Sequence, residues 1–446
     1  MFCCQVEKVV QNLHLYCIIT FMDVILKGNI LYSKTPQELS VTKSGYLVCR
    51  AGVSRGVFDH IPERYSGFDV IDYGNNLIIP GLCDLHTHAP QFALRGLGLD
   101  LELLEWLERY TFPEEIKYSD LEYATKAYGM FVSHLQNSAT TRACIFATVH
   151  VHATALLMEM LEKSGIFSYV GVVGMDRNCP ASLQRDNPGD TFESTKAWIQ
   201  STYERFYNTK PIITPRFIPV CSDELMYKLK KLQTMYKLPV QSHLSENTSE
   251  VELVLKLHND VKSYAGAYDK FELFGNGGVP TVMAHCVWCS DEDKRLLKDN
   301  GVYVAHCPQS NTNLTSGIAP AREFLNKGIK IGLGSDVSGG CHTSILRTMS
   351  DAVQVSKLYT RLVDPTAGPL SVNEAFYLGT AGGGSFFGKV GSFDDGYEFD
   401  AVVLDDSAVA SANQLNIEER LARAVYLSEE IKIIGKYVKG KSVQLS

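Results

Sequence analysis

The sequence lacks the features that mark several classes of protein. No block of lysine and arginine occurs in its 446 residues, and the formal net charge is -8. Nucleic-acid binding rests on basic patches that neutralise phosphates, so nucleic acid is excluded as a routine partner. The twelve cysteines are too few and too irregularly spaced for a disulfide scaffold, and Cys286-x-x-Cys289 has no second pair. We therefore expect free thiols in a reducing compartment.

Long apolar runs are also missing. The longest near the N-terminus, residues 15–21, contains Thr20, is too short to span a bilayer and makes a poor secretory signal. We therefore expect a cytoplasmic protein with no membrane partner. A strand pattern begins only at Asp23, so residues 1–21 are predicted to be an appendage, with Met22 as a candidate functional start.

The pattern of apolar residues divides the remaining chain. Residues 24–32 and 45–49 alternate apolar and polar side chains and are rich in β-branched and aromatic residues, which predicts short strands. From Gly81 onward, strand-like runs alternate with segments of helical periodicity. After a predicted helix at 372–382, the chain again favours strands, at residues 388–393, 398–404 and 433–443.

Eight strand-like runs separated by helical segments predict an α/β fold, a (β/α)8 TIM-type barrel. The runs are residues 79–88, 140–149, 168–175, 211–219, 239–245, 281–285, 302–306 and 331–336. The two ends of the chain are each too short for a core of their own, so we expect them to form one small β-sandwich. The predicted divisions are the appendage (1–21), the sandwich (22–80 and 386–446) and the catalytic barrel (81–385).

A His-x-His pair stands at the first barrel strand. His86 and His88 are two residues apart, so both imidazoles leave the same face of a strand. Such a pair suits two nitrogen ligands of one divalent cation, although short histidine pairs also occur by chance.

Further candidates fall at the ends of four other predicted strands, where a barrel carries its functional groups. They are Arg216, His243 with Glu246, His285, and Asp336. Three histidines and an aspartate could hold a divalent ion with one position left for water, and Glu246 could act as general base. Taken singly, His285 or His306 could be an ordinary buried histidine, and Asp336 a turn residue.

A second His-x-His, His150-Val151-His152, also ends a predicted strand but lacks an equivalent set of partners. We interpret His150 as a candidate supporting residue of the site and His152 as exposed.

Longer motifs resemble the amidohydrolase superfamily and, within it, the guanine deaminase family. The similarity runs in matching order from about residue 24 to about residue 439. It is carried by Pro80-Gly81-Leu82-Cys83-Asp84-Leu85-His86-Thr87-His88-Ala89-Pro90-Gln91, Leu103-Leu104-Glu105-Trp106-Leu107, Tyr110-Thr111-Phe112-Pro113-Glu114-Glu115, Thr214-Pro215-Arg216-Phe217, Gln241-Ser242-His243-Leu244-Ser245-Glu246-Asn247, Met283-Ala284-His285-Cys286, His306-Cys307-Pro308-Gln309-Ser310-Asn311 and Gly334-Ser335-Asp336-Val337.

The resemblance implies a metal-dependent hydrolase that converts guanine to xanthine and ammonia in purine catabolism or salvage. It further implies one Zn²⁺ per chain, a homodimer, and a set of matching site residues. The metal ligands would be His86, His88, His243 and Asp336; the catalytic residues Glu246, His285 and Asp336; and the substrate contacts Gln91, Arg216 and Phe217, together with His88, His243 and Glu246.

The chemistry of the substrate residues agrees with this assignment. The donors of Arg216 suit the carbonyl and N7 edge of guanine, and the Gln91 amide can donate and accept at another edge. Phe217 could stack on the ring or simply pack in the core. Two alternatives stay open: another aminohydrolase acting on a pterin, triazine or adenine-like ring, and a non-catalytic barrel used as a scaffold.

Overall fold

The computed structural model describes residues 23–184, 188–275 and 278–445. The predicted appendage and Met22 lie outside these ranges. The strands are β1 Val24–Ser33, β2 Leu39–Arg50, β3 Val53–Phe58, β4 Asp69–Pro80, β5 Leu82–His88, β6 Thr140–Phe146, β7 Phe167–Gly171, β8 Val173–Gly174, β9 Thr209–Pro211, β10 Thr214–Pro215, β11 Val240–Leu244, β12 Thr281–His285, β13 Tyr303–His306, β14 Lys330–Leu333, β15 Ala401–Asp405, β16 Lys432–Val438 and β17 Lys441–Ser442.

Helices alternate with the middle strands. They are α1 Leu103–Trp106, α2 Phe112–Ile116, α3 Leu121–Asn137, α4 Val151–Ser164, α5 Pro188–Thr202, α6 Asp223–Tyr236, α7 Thr248–Leu257, α8 Tyr264–Lys270, α9 Asp291–Asp299, α10 Pro308–Asn313, α11 Ala321–Lys327, α12 Ile345–Leu362, α13 Val372–Tyr377 and α14 Ile417–Tyr426. Single π-helical turns follow α1 and α13, at Leu107–Thr111 and Leu378–Gly382.

One seven-stranded sheet joins the two ends of the chain. Its order is β17-β16-β15-β4-β1-β2-β3, with β1 parallel to β4 and antiparallel to β2. One face buries a small core that includes Leu26, Ile30 and Phe399. Leu31 and Leu77 belong instead to the main core of the molecule. One sheet thus contains strands from both ends of the chain, whereas a small β-sandwich formed by these ends stays a prediction.

One predicted strand of the C-terminal part is wrong. Residues 388–393 form a loop rather than a strand. Gly388 and Gly391 have φ values of 106° and 84°, a region that glycine tolerates and an extended strand does not use.

The middle of the chain is a mixed α/β unit of parallel strands. The ladders run β5-β6-β7-β9, β8-β10 and β11-β12-β13-β14. Backbone hydrogen bonds outside the ladders connect them: Gln241 N donates to the carbonyl of Ile213 at 2.9 Å, and Asp336 N donates to the carbonyl of His86 at 2.8 Å. Each predicted barrel strand has a counterpart here, but these ladders are not one closed sheet, so the TIM barrel stays a prediction.

The described part of the chain has no helix with the length and apolar character that crossing a membrane requires. Its nine cysteines are all free thiols, and six of them are buried. The expectation of free thiols is therefore confirmed within these ranges.

Candidate metal-binding and catalytic site

Five side chains meet where neighbouring strands end. The end of β5 supplies His86 and His88, β11 supplies His243, β12 ends at His285, and Asp336 follows β14. All five are buried. His88 Nε2 lies 3.2 Å from Nε2 of His86 and 3.2 Å from Nε2 of His243, and Asp336 Oδ1 lies 3.1 Å from His86 Nε2. Residues up to 250 positions apart in sequence therefore converge on one point.

Backbone packing explains how Asp336 reaches His86. A Cβ at Gly334 would stand 2.9 Å from the His86 Cβ and 2.8 Å from the Cys307 sulfur, so the close approach requires glycine. Asp84, fully buried, accepts hydrogen bonds from the backbone of Ser335 (3.0 Å) and of His86 (3.1 Å). Burial raises the pKa of Asp84 to about 6, against the opposing effect of these hydrogen bonds. The ends of β5 and β14 are thereby fixed together.

The orientation of His243 leaves one ring nitrogen available. Its Nδ1 lies 2.6 Å from the carbonyl oxygen of Arg216, which can only accept, so Nδ1 carries the hydrogen. Its Nε2 therefore presents a lone pair toward His88. Phe146, at the end of β6, packs against His86, His88 and His243 with ring centroids 4.7 to 4.9 Å apart. This ring holds the three imidazoles in place from one side.

The protonation states favour ligation. Burial, reinforced by the charge of His86, lowers the pKa of His88 and of His243 well below the ordinary value. Burial alone would raise the pKa of Asp336, but the neighbouring His86 outweighs it and the pKa is well below the usual range. At neutral pH His88 and His243 are therefore neutral imidazoles and Asp336 is an ionised carboxylate, the forms that bind metals.

These donors fit a divalent cation. A tetrahedral zinc ion with bonds of about 2.1 Å separates neighbouring ligand atoms by about 3.4 Å. Four pairs of ligand atoms among His86, His88, His243 and Asp336 are separated by 3.1 to 3.5 Å. Lone pairs brought this close would repel one another without a proton or cation between them. The residues present therefore match a mononuclear site of nitrogen and oxygen ligands.

Glu246 stands beside this cluster. Its Oε2 lies 3.3 Å from His285 Nε2, and Ser316 Oγ donates to its Oε1 at 3.3 Å. Burial, followed by the nearby charges of Asp336 and Glu250, raises the pKa of Glu246 well above its ordinary value. A carboxylate in this position is a stronger base than one in water.

Helix α10 and the residues that follow it support His285 and Glu246. Asn311 Oδ1 lies 2.9 Å from His285 Nδ1, and the carbonyl of Asn311 accepts from Ser316 N at 2.8 Å.

His285 and Asp336 both have positive φ, 72° and 45°. Non-glycine residues rarely adopt this conformation, and such strain concentrates at functional sites.

A cavity opens beside the cluster. Its lining comprises His88, Gln91, Leu103, Trp106, Leu107, Arg216, Phe217, His243, Glu246, His285, Leu314 and Asp336. The Phe217 ring also packs against His243, with centroids 6.3 Å apart. The cavity is thus lined by both apolar and polar side chains.

The structure brings all the predicted site residues together. His86 belongs to the cluster, and the other eight line the cavity. The second His-x-His is not part of it: His150 precedes α4 and lines a separate cleft, and His152 is exposed, as expected.

Sequence reasoning gave no role to several residues that shape the site. Glu115 contacts both Arg216 and Gln91, and Trp106 lines the cavity. Asp84, Phe146, Asn311 and Ser316 hold the reactive side chains. Glu115, Trp106, Asp84 and Asn311 lie inside the motifs quoted above, which was their only signal.

Known proteins resemble this chain in sequence and fold. Residues 77–443 match the amidohydrolase family. The guanine deaminase of Dictyostelium discoideum is 38% identical over 383 residues, covering 84% of each protein, and the human guanine deaminase is 36% identical over 382 residues, covering 83% of each. A crystal structure of guanine deaminase from C. acetobutylicum with guanine bound in the active site superposes with a TM-score of 0.90 at 45% identity, covering 94% of this chain and 99% of that one. With a match to most of its length and relatives of this similarity, the chain belongs to the amidohydrolase family.

Proposed function

We propose that the protein catalyses the hydrolytic deamination of guanine to xanthine and ammonia, a step of purine catabolism or salvage. The observation that carries the proposal is the position of Glu246 between a cation-type cluster and a cavity lined by Arg216 and Gln91. The guanine deaminases among the relatives, one of them with guanine in its active site, support the choice of substrate.

We assign His86, His88, His243 and Asp336 as ligands of one Zn²⁺ per chain. The donor distances and the lowered pKa values of His88 and His243 support this assignment. A divalent zinc ion held there would lower the pKa of water toward 7 and so supply hydroxide at neutral pH. His285 Nε2 lies 3.7 Å from Asp336 Oδ2, and we assign it to the catalytic residues rather than to the ligands.

Glu246 is the proposed proton shuttle. Its raised pKa favours taking a proton from the attacking water and passing it to a ring nitrogen of guanine. Attack on the carbon that bears the amino group places negative charge on the ring. Protonation of the ring nitrogen relieves this charge. Asp336 orients the nucleophile, takes its remaining proton and passes that proton to the leaving amine, which departs as ammonia. His285, held at Nδ1 by Asn311, keeps Nε2 directed at both carboxylates.

The cavity side chains would hold the purine. Arg216 would donate to the guanine carbonyl and N7, which together present two adjacent acceptors. Gln91 would bond to a second polar edge of the ring, and Phe217 would lie against its face. The proximity of His88, His243 and Glu246 in the same lining supports their contact with the reacting part of the ring.

Several finer features go with this function. We propose that β5 to β14 surround the site as a (β/α)8 barrel, supported by the bonds that connect the separate ladders. The proposed divisions are 22–80 and 386–446 for the terminal β-sandwich and 81–385 for the barrel. A homodimer in the cytoplasm is also expected; light scattering and localisation of the tagged full chain would measure these two points.

The alternatives are less well supported. The relatives described above are guanine deaminases, and this favours guanine over a pterin, triazine or adenine-like ring. A non-catalytic scaffold protein could lose site residues, but none of the predicted site residues is missing here. Purified metal-loaded protein should release xanthine and ammonia from guanine in equal amounts. Ammonia from a pterin, triazine or adenine, with none from guanine, would overturn the proposal.

A further inference from the structure

Glu115 contacts the side chains of Arg216 and Gln91, which both line the cavity. Its Oε2 accepts from Arg216 Nη1 at 2.6 Å, and its Oε1 accepts from Arg216 Nη2 and from Gln91 Nε2, both at 3.0 Å. The Glu115 side chain is 0% exposed and that of Arg216 is 3% exposed. Three hydrogen bonds thus fix one buried carboxylate between the two proposed purine contacts.

The first consequence concerns charge. A buried guanidinium without a counter-ion attracts any anion that fits the cavity. Glu115 binds Arg216 in the bidentate manner that matches carboxylate to guanidinium most closely. The pair carries no net charge, and this suits an uncharged heterocycle better than an anion of the same shape.

The second consequence concerns hydrogen-bond direction. A guanidinium has five N–H donors, and Glu115 takes two of those of Arg216, which leaves three for a ligand. An ionised carboxylate can only accept, so the Gln91 atom facing Glu115 must be the amide nitrogen. The Gln91 oxygen then lies on the side of Ser338, whose backbone N–H donates to it at 3.3 Å.

We propose that Glu115 is a specificity-determining residue, which neutralises Arg216 so that the cavity selects an uncharged purine over an anionic one. Glu115 does this from outside the cavity lining, through the two residues it contacts. The identity of the ring rests on the proposed function, whereas the selection by charge does not.

A matched pair of ligands tests this selection. Purine-6-carboxamide and purine-6-carboxylate have the same shape and differ by one charge, and calorimetry on zinc-loaded protein measures their affinities without turnover. We expect the Glu115→Gln substitution to shift the affinity ratio toward the carboxylate by about tenfold or more, because it leaves Arg216 unpaired. Glu115→Asp, which keeps the charge, should leave the ratio near that of the wild type.

Two further variants keep the test decisive. Arg216→Gln alone leaves Glu115 as an unpaired anion and should shift the ratio away from the carboxylate, whether or not Glu115→Gln folds. The double variant Glu115→Gln, Arg216→Gln should return toward the wild-type ratio. A folded Glu115→Gln variant whose ratio stays within twofold of wild type would overturn the proposal, whatever the ratio of Arg216→Gln.

Guanine kinetics separate this proposal from the proposed function. Glu115→Gln should raise KM for guanine about tenfold with a smaller change in kcat, since the residue acts on binding. If the wild-type protein makes no xanthine, the proposed function fails, while the carboxamide-to-carboxylate ratio still decides the role of Glu115.

Discussion

Asn311 Oδ1 lies 2.9 Å from Nδ1 of His285, whose Nε2 lies 3.3 Å from Glu246. The same asparagine accepts the backbone N–H of Ser316, and the Ser316 hydroxyl donates to Glu246. One residue therefore fixes His285 through its side chain and the proton shuttle through its backbone.

Asn311→Ala should lower kcat for guanine about 10- to 100-fold, because the His285 ring loses the partner that sets its orientation. The zinc content should not change, since Asn311 contacts none of the proposed ligands. Thr312→Ala, at the neighbouring exposed position, is the matched control and should retain wild-type kcat. An unchanged kcat in Asn311→Ala would show that the contact has no catalytic role.

Glu246→Gln should reduce turnover by about 10²- to 10⁴-fold, because an amide cannot take the proton of the attacking water. Its zinc content should equal that of wild type. Glu252→Gln, an exposed position on α7, serves as the control for loss of a charge nearby. Near-normal activity in Glu246→Gln would remove this residue from the mechanism.

Arg216→Ala should raise KM for guanine about 10- to 100-fold, since it removes charge-assisted hydrogen bonds to the ring. The backbone carbonyl that orients His243 is retained in this variant. Arg216→Lys should recover only part of the loss, because lysine cannot present two parallel donors. Steady-state kinetics measures this, and an unchanged KM would count against a purine contact.

Glu374 gives a pH-dependent contribution to stability. It closes the N-terminal capping box of α13 with Ser371 and pairs with Arg322. Burial opposes these contacts, but they prevail and lower the pKa of Glu374 below 4.5. A carboxyl with a lowered pKa stabilises the fold above its unfolded pKa, and this stabilisation is lost as the pH falls through the folded value.

Glu374→Gln should therefore reduce the free energy of unfolding by about 1 kcal/mol at neutral pH. The difference from wild type should shrink as the pH falls below 4.5, the unfolded value. Urea unfolding at pH 7 and at pH 4 measures both. A difference that is constant or grows toward acid would contradict the stated role of this carboxylate.

The candidate site was largely predictable because its signals are local. Two-residue spacing placed His86 and His88 on one face of β5, and the position of His243 and His285 at strand ends brought them to the same edge. Glu115 had no comparable signal. Its partner Arg216 is 101 residues away, and nothing in the sequence near Glu115 indicates that contact.

The fold was predictable where apolar periodicity is regular. The longest helix among the described residues, α12, has Thr348, Ser350 and Asp351 among its buried positions, and these polar residues weaken the helical pattern in the sequence. The strand predicted at residues 388–393 is wrong for a different reason. There the apolar residues suggest a strand, but the backbone turns at two glycines.

The most direct test of the central claim is a zinc titration of metal-free protein, with bound metal and xanthine formation measured on the same samples. We predict that activity rises in proportion to bound zinc and reaches its plateau at one ion per chain, and that His86→Ala and Asp336→Ala prevent both. Xanthine formation that is independent of metal, or a plateau at two ions per chain, would contradict the account.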